Sequence, residues 1–369
     1  MADSRLHELS EAGVSVWIDY LSRDLVHGGE LARMMREDAV VGVTSNPSIF
    51  QKAIAAGDAY DEQMRECAGE GLDVRETFIR LAERDVSDAC DLLRSVWDSG
   101  AGQDGYVSIE VDPTLAYDTE ATFAQAKRFH EEIDKPNLFV KIPATRPGLP
   151  AIEDMIAHGK SINITLIFSL QRYKEVVEAH LRGLERLVAS GGDPRHVASV
   201  ASFFVSRVDT EADRRLDEIG GHDHLKGKLA VANAKLAYQH WLTAYSGPRW
   251  EFLASKGATS QRCLWASTST KNPDYRDVLY VEELIAPETV NTMPEETIEA
   301  FQDHGEVRGP TALEGIDEAR RLLDDLAEAG VDYDDVVDTL EAEGVQKFAD
   351  AFAGLLDGIR EKRDRLVAA

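Results

Sequence analysis

Short apolar segments alternate with amphipathic helical patterns along the 369 residues of this chain. An apolar run bounded by turn residues is typical of a buried β-strand, whereas apolar positions every three or four residues are typical of a helix. Their alternation predicts βα units that build a parallel sheet. Eight segments have the strand-like pattern: residues 14–22, 40–50, 106–113, 137–145, 161–169, 197–209, 263–273 and 289–296. Eight such units predict an α/β fold, the (β/α)₈ barrel.

Two helical stretches exceed what a simple barrel needs. Residues 51–105 follow the second strand and include an amphipathic helix, and residues 316–366 follow the last strand. In the second stretch, Phe348 and Phe352 lie on one helical face, and no strand remains to cover them. The terminal helix must therefore pack on the outside of the barrel or over one mouth. We expect a single barrel domain over residues 1–369, with both stretches as additional helical segments.

The fourth strand-like run, NLFVKIPAT, contains a lysine, Lys141, among apolar residues. Lysine is rarely buried without a partner. Burial that lowered its pKa from about 10.4 to about 7–8 would raise the fraction of neutral amine by two to three orders of magnitude. Such an amine can form a Schiff base with a carbonyl substrate. The alternative is an edge-strand lysine that points into water.

Other predicted strands also end in a polar side chain, and in such a barrel the C-terminal ends of the strands form the active site. Each of these residues alone could cap a helix or shape a turn. Together they predict an active site at one mouth. The carboxylates would raise the pKa of the lysine, whereas burial would lower it, and the sequence leaves open which effect dominates. The residues at the strand ends are Asp19, Asn46, Glu110, Lys141, and Asn163 with Thr165.

Charge makes a further demand on the site. The chain has 40 basic and 67 acidic side chains, a formal charge of −27, which disfavours binding to nucleic acid and to anionic membranes. A sugar-phosphate substrate would therefore need a local positive site. Arg207 closes the sixth strand with forked donors, and Ser267 and Lys271 follow the seventh, where barrels often bind phosphate. The alternative for the seventh segment is a plain polar loop.

Other composition signals bound the location and chemistry. No apolar run is long enough to span a bilayer, and the first residues lack a signal-peptide core. Cys67, Cys90 and Cys263 lie far apart, in no disulfide or metal pattern, which favours a reducing, cytoplasmic setting. No histidine cluster accompanies Lys141, so we predict neither a metal nor a cofactor. The sequence does not indicate an oligomeric state.

The segments VGVTSNPSIFQKAI, VSIEVDP, LFVKIPAT, INITLIFS, ASFFVSRV and NTMPEETIEAF resemble transaldolases in order and spacing. The resemblance spans about residues 14–305 and is strongest to the longer, actinobacterial type. It implies a (β/α)₈ barrel that moves a dihydroxyacetone unit from a ketose phosphate to an aldose phosphate. The donor would be sedoheptulose 7-phosphate or fructose 6-phosphate, and the acceptor glyceraldehyde 3-phosphate or erythrose 4-phosphate, in the non-oxidative pentose phosphate pathway.

The resemblance also implies roles for individual residues. Lys141 would form the Schiff base, Glu110 would relay protons through a water with help from Thr165, and Asp19 would be the acid/base at the hydroxyl released by carbon–carbon cleavage. Binding of the retained three-carbon unit and of phosphate would fall to six further residues: Asn46, Asn163 and Ser202 with Phe204 as a wall, and Arg207 and Ser267 at the phosphate.

Three positions depart from the family pattern. Trp17 stands near Asp19 where small residues are common, and Phe203 stands where proline is common. Ser269 occupies the position of an arginine that usually follows the serine of the seventh strand, and Lys271 is the candidate replacement. Two other functions stay open: a class I aldolase that cleaves fructose phosphates, and a non-catalytic barrel that binds sugar phosphates.

Overall fold

The computed structural model describes residues 4–55 and 57–368. Within these ranges, parallel strands pair in chain order and close into a barrel, with the first strand against the last. The predicted (β/α)₈ barrel is confirmed, and each predicted segment overlaps one strand, although β7 begins one residue before its predicted segment. The strands are β1 Val14–Ile18, β2 Val40–Val43, β3 Tyr106–Glu110, β4 Leu138–Pro143, β5 Ile162–Ile167, β6 Ser199–Phe204, β7 Arg262–Ala266 and β8 Thr289–Met293.

Helices surround the barrel and cover its strands. Their bounds are α1 Arg5–Glu11, α2 Arg23–His27, α3 Glu30–Glu37, α4 Pro47–Ala55, α5 Asp61–Gly69, α6 Val74–Ser99, α7 Thr119–Ile133, α8 Gly148–Ala157, α9 Leu170–Ala189, α10 Ser206–Ile219, α11 Leu229–Ala244, α12 Gly247–Ser255, α13 Leu279–Glu283, α14 Glu295–His304, α15 Ile316–Glu328 and α16 Tyr333–Ala368.

The segment between β2 and β3 is helical, as its pattern predicts. It contains α4, α5 and α6. Asp73 caps α6 because its side chain accepts a hydrogen bond from the backbone N–H of Glu76 at 2.8 Å. Val86, Cys90 and Leu93, one turn or slightly less apart, are all buried and face the barrel. The extra helices therefore pack against the barrel through one apolar stripe.

The last helix, α16, packs over the C-terminal mouth of the barrel, one of the two predicted arrangements. A side chain at Gly344 would approach Leu166 and Phe168 within 3.1–3.2 Å, so glycine lets the helix backbone come close to the end of β5. Farther along the helix, Phe352 packs edge-on against Phe78 of α6, with ring centroids 5.4 Å apart. These contacts fix the helix across the strand ends.

Trp17 fills the interior of the barrel, which explains how the chain accommodates a large residue near Asp19. The indole is fully buried, and its Nε1 donates to Asp104 at 3.1 Å. Gly42, on the neighbouring strand β2, lies directly beside the ring, and a Cβ atom there would overlap the indole. Tryptophan at one position therefore requires glycine at the other.

We expect Gly42→Ala to destabilise the protein by about 1–3 kcal/mol, because the added methyl overfills the interior. In a Trp17→Leu background the same change should cost much less, since the two sites share one space. Urea unfolding of the four variants measures this coupling. Gly69→Ala is the control, because a Cβ there meets no atom within 4 Å. Equal costs in both backgrounds would contradict the interpretation.

Candidate active site

Lys141 points into the mouth of the barrel and is buried. The residue is 5% exposed, and its Nζ donates to the carbonyl oxygen of Ser45 at 3.4 Å. The same nitrogen lies 3.7 Å from Oε2 of Glu110 and 6.0 Å from the ring centroid of Phe348 on α16. An edge-strand lysine in water would have none of these neighbours. The structure therefore excludes the solvent-exposed alternative.

Glu110 is the acidic partner of this lysine. The two residues are paired across β3 and β4, and the Glu110 side chain is 4% exposed. Neither carboxyl oxygen has a hydrogen-bond partner among the residues that the structure describes, because 3.7 Å is too long for a hydrogen bond. Burial raises the pKa of Glu110 to about 7, while the charge of Lys141 opposes the rise and the charge of Asp19 adds to it. This carboxyl can give and take a proton near neutral pH.

Asp19 directly follows β1 and is partly exposed at the same mouth. Thr44 Oγ1 donates to its Oδ1 at 2.7 Å and lies 2.7 Å from the hydroxyl of Thr292. Since Thr44 has one hydroxyl hydrogen, Thr292 must donate to it. Burial raises the pKa of Asp19 above its ordinary value, against the opposing charge of Lys141 and the hydrogen bond from Thr44. A second carboxyl with a raised pKa thus lies at the same mouth.

Amide and hydroxyl groups extend the site along β5 and β6. Asn163 pairs in register with Lys141 and is fully buried. Its Oδ1 accepts from the hydroxyl of Ser202 at 2.7 Å, and its Nδ2 donates to the hydroxyl of Ser108 at 3.1 Å. Thr165 is also fully buried, and its hydroxyl has no partner within the described ranges. An unpartnered buried hydroxyl is available to a substrate or a water.

Asn46 has a local structural role. Its Oδ1 accepts from the backbone N–H of Ile49 at 3.1 Å at the start of α4, so this oxygen caps the helix. The capping alternative therefore holds for the oxygen of Asn46. The amide nitrogen of the half-buried side chain is the group that can reach a ligand.

Arg207 supplies a half-buried cation beside the mouth. Its guanidinium lies 5.1 Å from the ring centroid of Phe204 and 6.0 Å from that of Phe348. Nη1 is buried and has no hydrogen-bond partner in the part of the chain that is described. Burial lowers the pKa of Arg207, and Asp19 and Glu343 oppose this, but an arginine stays charged at neutral pH. A free N–H on a fixed charge is suited to an anion.

The loop after β7 lies next to Arg207. The hydroxyl of Ser267 is 2.9 Å from that of Ser206, at the start of α10. Lys271 is exposed, and its Nζ donates to the hydroxyl of Ser269 at 2.6 Å. The lysine thus contacts the residue that occupies the usual arginine position, and its role at a phosphate stays a prediction.

The sequence did not single out several groups that the structure brings to the site: Thr44, Ser108, Thr292 and Phe348. Two of them had a signal. Ser108 precedes Glu110 by two residues and so shares its strand face, and Thr44 precedes Asn46 by two at the end of β2. For Phe348 the sequence indicated only that the residue belongs to an apolar helical face. Its position over the site depends on how α16 crosses the mouth.

Cavity volume does not identify the site. A cavity of about 550 Å³ lies at the opposite, N-terminal end of the barrel, next to Trp97, Trp250 and Arg262. The mouth around Lys141 is instead covered by α16, so the site is assigned from its side chains. In residues 4–55 and 57–368, no three His, Cys, Asp or Glu side chains cluster as metal ligands. No helix there is long and apolar enough to cross a membrane.

Comparison with known proteins bears on the family. A sequence model described as "Transaldolase/Fructose-6-phosphate aldolase" matches residues 16–359. A protein named transaldolase from Parafrankia sp. is 55% identical over 97% of both chains. Those from Frankia alni and Acidothermus cellulolyticus, both also named transaldolase, are 53% and 54% identical over 98% of this chain. The aligned regions cover 98% and 97% of the lengths of these two relatives, respectively. The chain belongs to the transaldolase/fructose-6-phosphate aldolase family, as an enzyme of the transaldolase type.

Proposed function

We propose that this enzyme transfers a dihydroxyacetone unit between sugar phosphates through a Schiff base on Lys141. One observation carries the proposal: the buried amine of Lys141 lies 3.7 Å from a carboxyl, Glu110, whose pKa is raised to about 7. The donor would be sedoheptulose 7-phosphate or fructose 6-phosphate. The acceptor would be glyceraldehyde 3-phosphate or erythrose 4-phosphate, as in the non-oxidative pentose phosphate pathway.

The first half of the reaction forms the covalent intermediate. The amine of Lys141 attacks the ketone carbon, a carbon–nitrogen bond forms, and the carbinolamine loses water to give an imine. Glu110, acting through a water and assisted by the hydroxyl of Thr165, protonates the departing oxygen and later removes a proton. Asn163 and Ser202, already linked by a 2.7 Å hydrogen bond, hold the hydroxyl groups of the three-carbon unit, with Asn46.

The second half breaks and remakes the carbon–carbon bond. Asp19 takes the proton of the hydroxyl next to the bond, the electrons move to the imine, and the aldose leaves as an aldehyde. The remaining enamine then attacks the acceptor aldehyde, and Asp19 returns the proton to the new alkoxide. Hydrolysis of the imine releases the product. The raised pKa of Asp19 suits a group that both accepts and donates a proton.

The position of α16 favours transfer over simple cleavage. Phe348 stands 6.0 Å from the amine of Lys141, and Phe204 walls the same side beside Arg207. Apolar groups over the enamine limit its protonation by water. The intermediate therefore persists until an acceptor arrives, whereas an aldolase would release the three-carbon unit.

Phosphate recognition falls to Arg207, Ser267 and Lys271. We expect Arg207→Ala to raise KM for the phosphorylated acceptor at least about 10-fold, because a hydrogen bond to a charged group is worth about 1.5–3 kcal/mol. Steady-state kinetics with glyceraldehyde 3-phosphate and with unphosphorylated glyceraldehyde measures the effect. Arg214→Ala is the control, since Arg214 lies on the same helix and pairs with Glu211. An unchanged KM would remove Arg207 from the phosphate site.

The decisive experiment traps the intermediate. Borohydride reduction with fructose 6-phosphate should leave a stable mass adduct, mapped to the peptide that contains Lys141. A binding barrel gives no adduct. Product release from fructose 6-phosphate that needs no acceptor would identify an aldolase, and release that depends on erythrose 4-phosphate identifies a transferase.

We also propose a cytoplasmic setting and a single domain over residues 1–369. The three cysteines are buried and unpaired, which supports a reducing compartment. The packing of α4, α6 and α16 against the barrel supports one domain. The charge of −27 argues against nucleic-acid binding.

A further inference from the structure

We propose that Ser206 is a phosphate-binding residue, which acts with Ser267 and Arg207 on the phosphate group of the sugar substrate. The inference deepens the proposed function and rests on it. Ser206 is the first residue of α10, two residues after the end of β6, and it is 1% exposed. Its hydroxyl lies 2.9 Å from the hydroxyl of Ser267, which follows β7.

The backbone holds the two serines together. The N–H of Val205 donates to the carbonyl of Ala266 at 3.0 Å, and the N–H of Ser206 donates to that of Ser267 at 3.0 Å. These bonds continue the pairing of β6 and β7 beyond the strand ends. The separation of the two hydroxyls is therefore fixed by the barrel and not by a flexible loop.

Ser267 adopts a left-handed backbone conformation, with φ = 57°, which residues other than glycine rarely adopt. Such a conformation costs free energy and persists where its surroundings enforce it, often at a ligand site. Ser206 enforces it through its backbone N–H and its hydroxyl. The conformation aims the hydroxyl of Ser267 at that of Ser206, beside the arginine.

The hydroxyl pair leaves one donor free. Each serine hydroxyl has one hydrogen, and only one can lie between the two oxygens. The hydrogen of the accepting hydroxyl is therefore directed elsewhere. The next residue, Arg207, has a buried Nη1 without a partner in the described part of the chain. One O–H of the serine pair and the Nη1 of Arg207 are thus donors without an acceptor in the described part of the chain, both from the first turn of α10, an end that attracts anions.

The charges around this point favour a phosphate group over a neutral ligand. Lys141, Arg207 and Lys271 are the cations that act on Asp19 at this mouth, and Asp19 and Glu343 are the acidic groups that act on Arg207. Lys271 is exposed and already donates to Ser269. The buried Nη1 of half-buried Arg207 and the free hydroxyl hydrogen are two donors whose missing acceptor a phosphate oxygen would supply.

The test is Ser206→Ala in the full chain. We expect KM for erythrose 4-phosphate and the inhibition constant of inorganic phosphate each to rise about 10-fold, with kcat changed less than about 2-fold, because one hydrogen bond to a charged group is lost. With unphosphorylated glyceraldehyde as acceptor, kcat/KM should stay within about 2-fold, because this acceptor has no phosphate group for the hydroxyl to bind. Ser206→Thr, which keeps the hydroxyl, should restore phosphate inhibition.

Thr210→Ala is the matched control, because it removes a hydroxyl from the same helix that bonds only to the carbonyl of Ser206. Unchanged phosphate inhibition in Ser206→Ala overturns the proposal. An equal loss with phosphorylated and unphosphorylated acceptors also overturns it, since that pattern indicates a purely structural hydroxyl. If the alanine variant does not fold, Ser206→Gly removes the same group.

A separate measurement keeps this proposal distinct from the proposed function. Borohydride trapping with dihydroxyacetone, which carries no phosphate, reports Schiff-base formation alone. Trapping on Lys141 in both wild type and Ser206→Ala supports the proposed function whatever the phosphate result. Failure to trap in the wild type contradicts the Schiff-base mechanism itself.

Discussion

Lys141→Arg should reduce turnover by about 10⁴-fold or more, because a guanidinium stays protonated and cannot become the nucleophile. The substituted residue keeps its positive charge beside Glu110, so the ion pair that spans β3 and β4 can persist. The measurement is transfer from fructose 6-phosphate to erythrose 4-phosphate, followed by borohydride trapping. Neither product nor adduct is expected.

Lys127→Arg provides the matched control for this result. It makes the same chemical change at an exposed lysine on α7, outside the site, and should keep most of the activity. Circular dichroism and the Tm of each variant test whether the fold is intact. Activity near the wild-type level in folded Lys141→Arg would contradict the mechanism.

Glu110→Gln should slow Schiff-base formation by about 10²–10⁴-fold, which is the usual contribution of a positioned acid/base group. Substrate binding should change far less, because the amide keeps the shape of the side chain. In the wild type, the pKa of about 7 means that Glu110 passes from mostly neutral to mostly ionised as the pH rises through 7. Loss of water from the carbinolamine needs the neutral acid, so trapping should slow above this pH. The variant should lack that inflection.

The same carboxyl links pH to stability. Its pKa is higher in the folded protein than its ordinary value of 4.5, so between these two values the folded state binds more protons than the unfolded state. The stabilisation is therefore fully present below 4.5 and is lost as the pH rises through about 7. Glu110→Gln removes this dependence, and its Tm relative to wild type should rise from pH 5 to pH 8.

Glu343→Gln is the control for both readouts, because Glu343 is an exposed carboxylate on α16 near the same mouth. It should alter neither the trapping rate nor its pH profile. A trapping rate in Glu110→Gln equal to that of wild type would exclude Glu110 from the proton relay.

The barrel and the centre of its site could be predicted from the sequence because both follow from strand periodicity. Eight apolar runs fixed the number of strands, and parallel pairing brings their C-terminal ends to one mouth. Glu110, Lys141 and Asn163 then become neighbours through register alone, since each pairs with the next across β3, β4 and β5. Local pattern was sufficient wherever adjacent strands carried the site.

Contacts between distant segments could not be predicted in this way. The apolar stripe of α16 allowed packing on the outside or over the mouth, and the close approach at Gly344 became visible only in the structure. Trp17 looked like a departure from the family, and its partner Gly42 was not identified because the match is one of volume inside the barrel. The sequence also could not show that the side-chain oxygen of Asn46 caps α4 while its amide nitrogen stays available to a ligand.

The helix that covers the site, α16, follows all eight strands in the order of synthesis. A ribosome makes residues 333–368 after all eight strands, so the barrel can close before its cover exists. In that interval Lys141 and Arg207 have no Phe348 above them, and the nascent mouth is open to water. The aromatic cover of the amine is therefore the last part of the site to be synthesised.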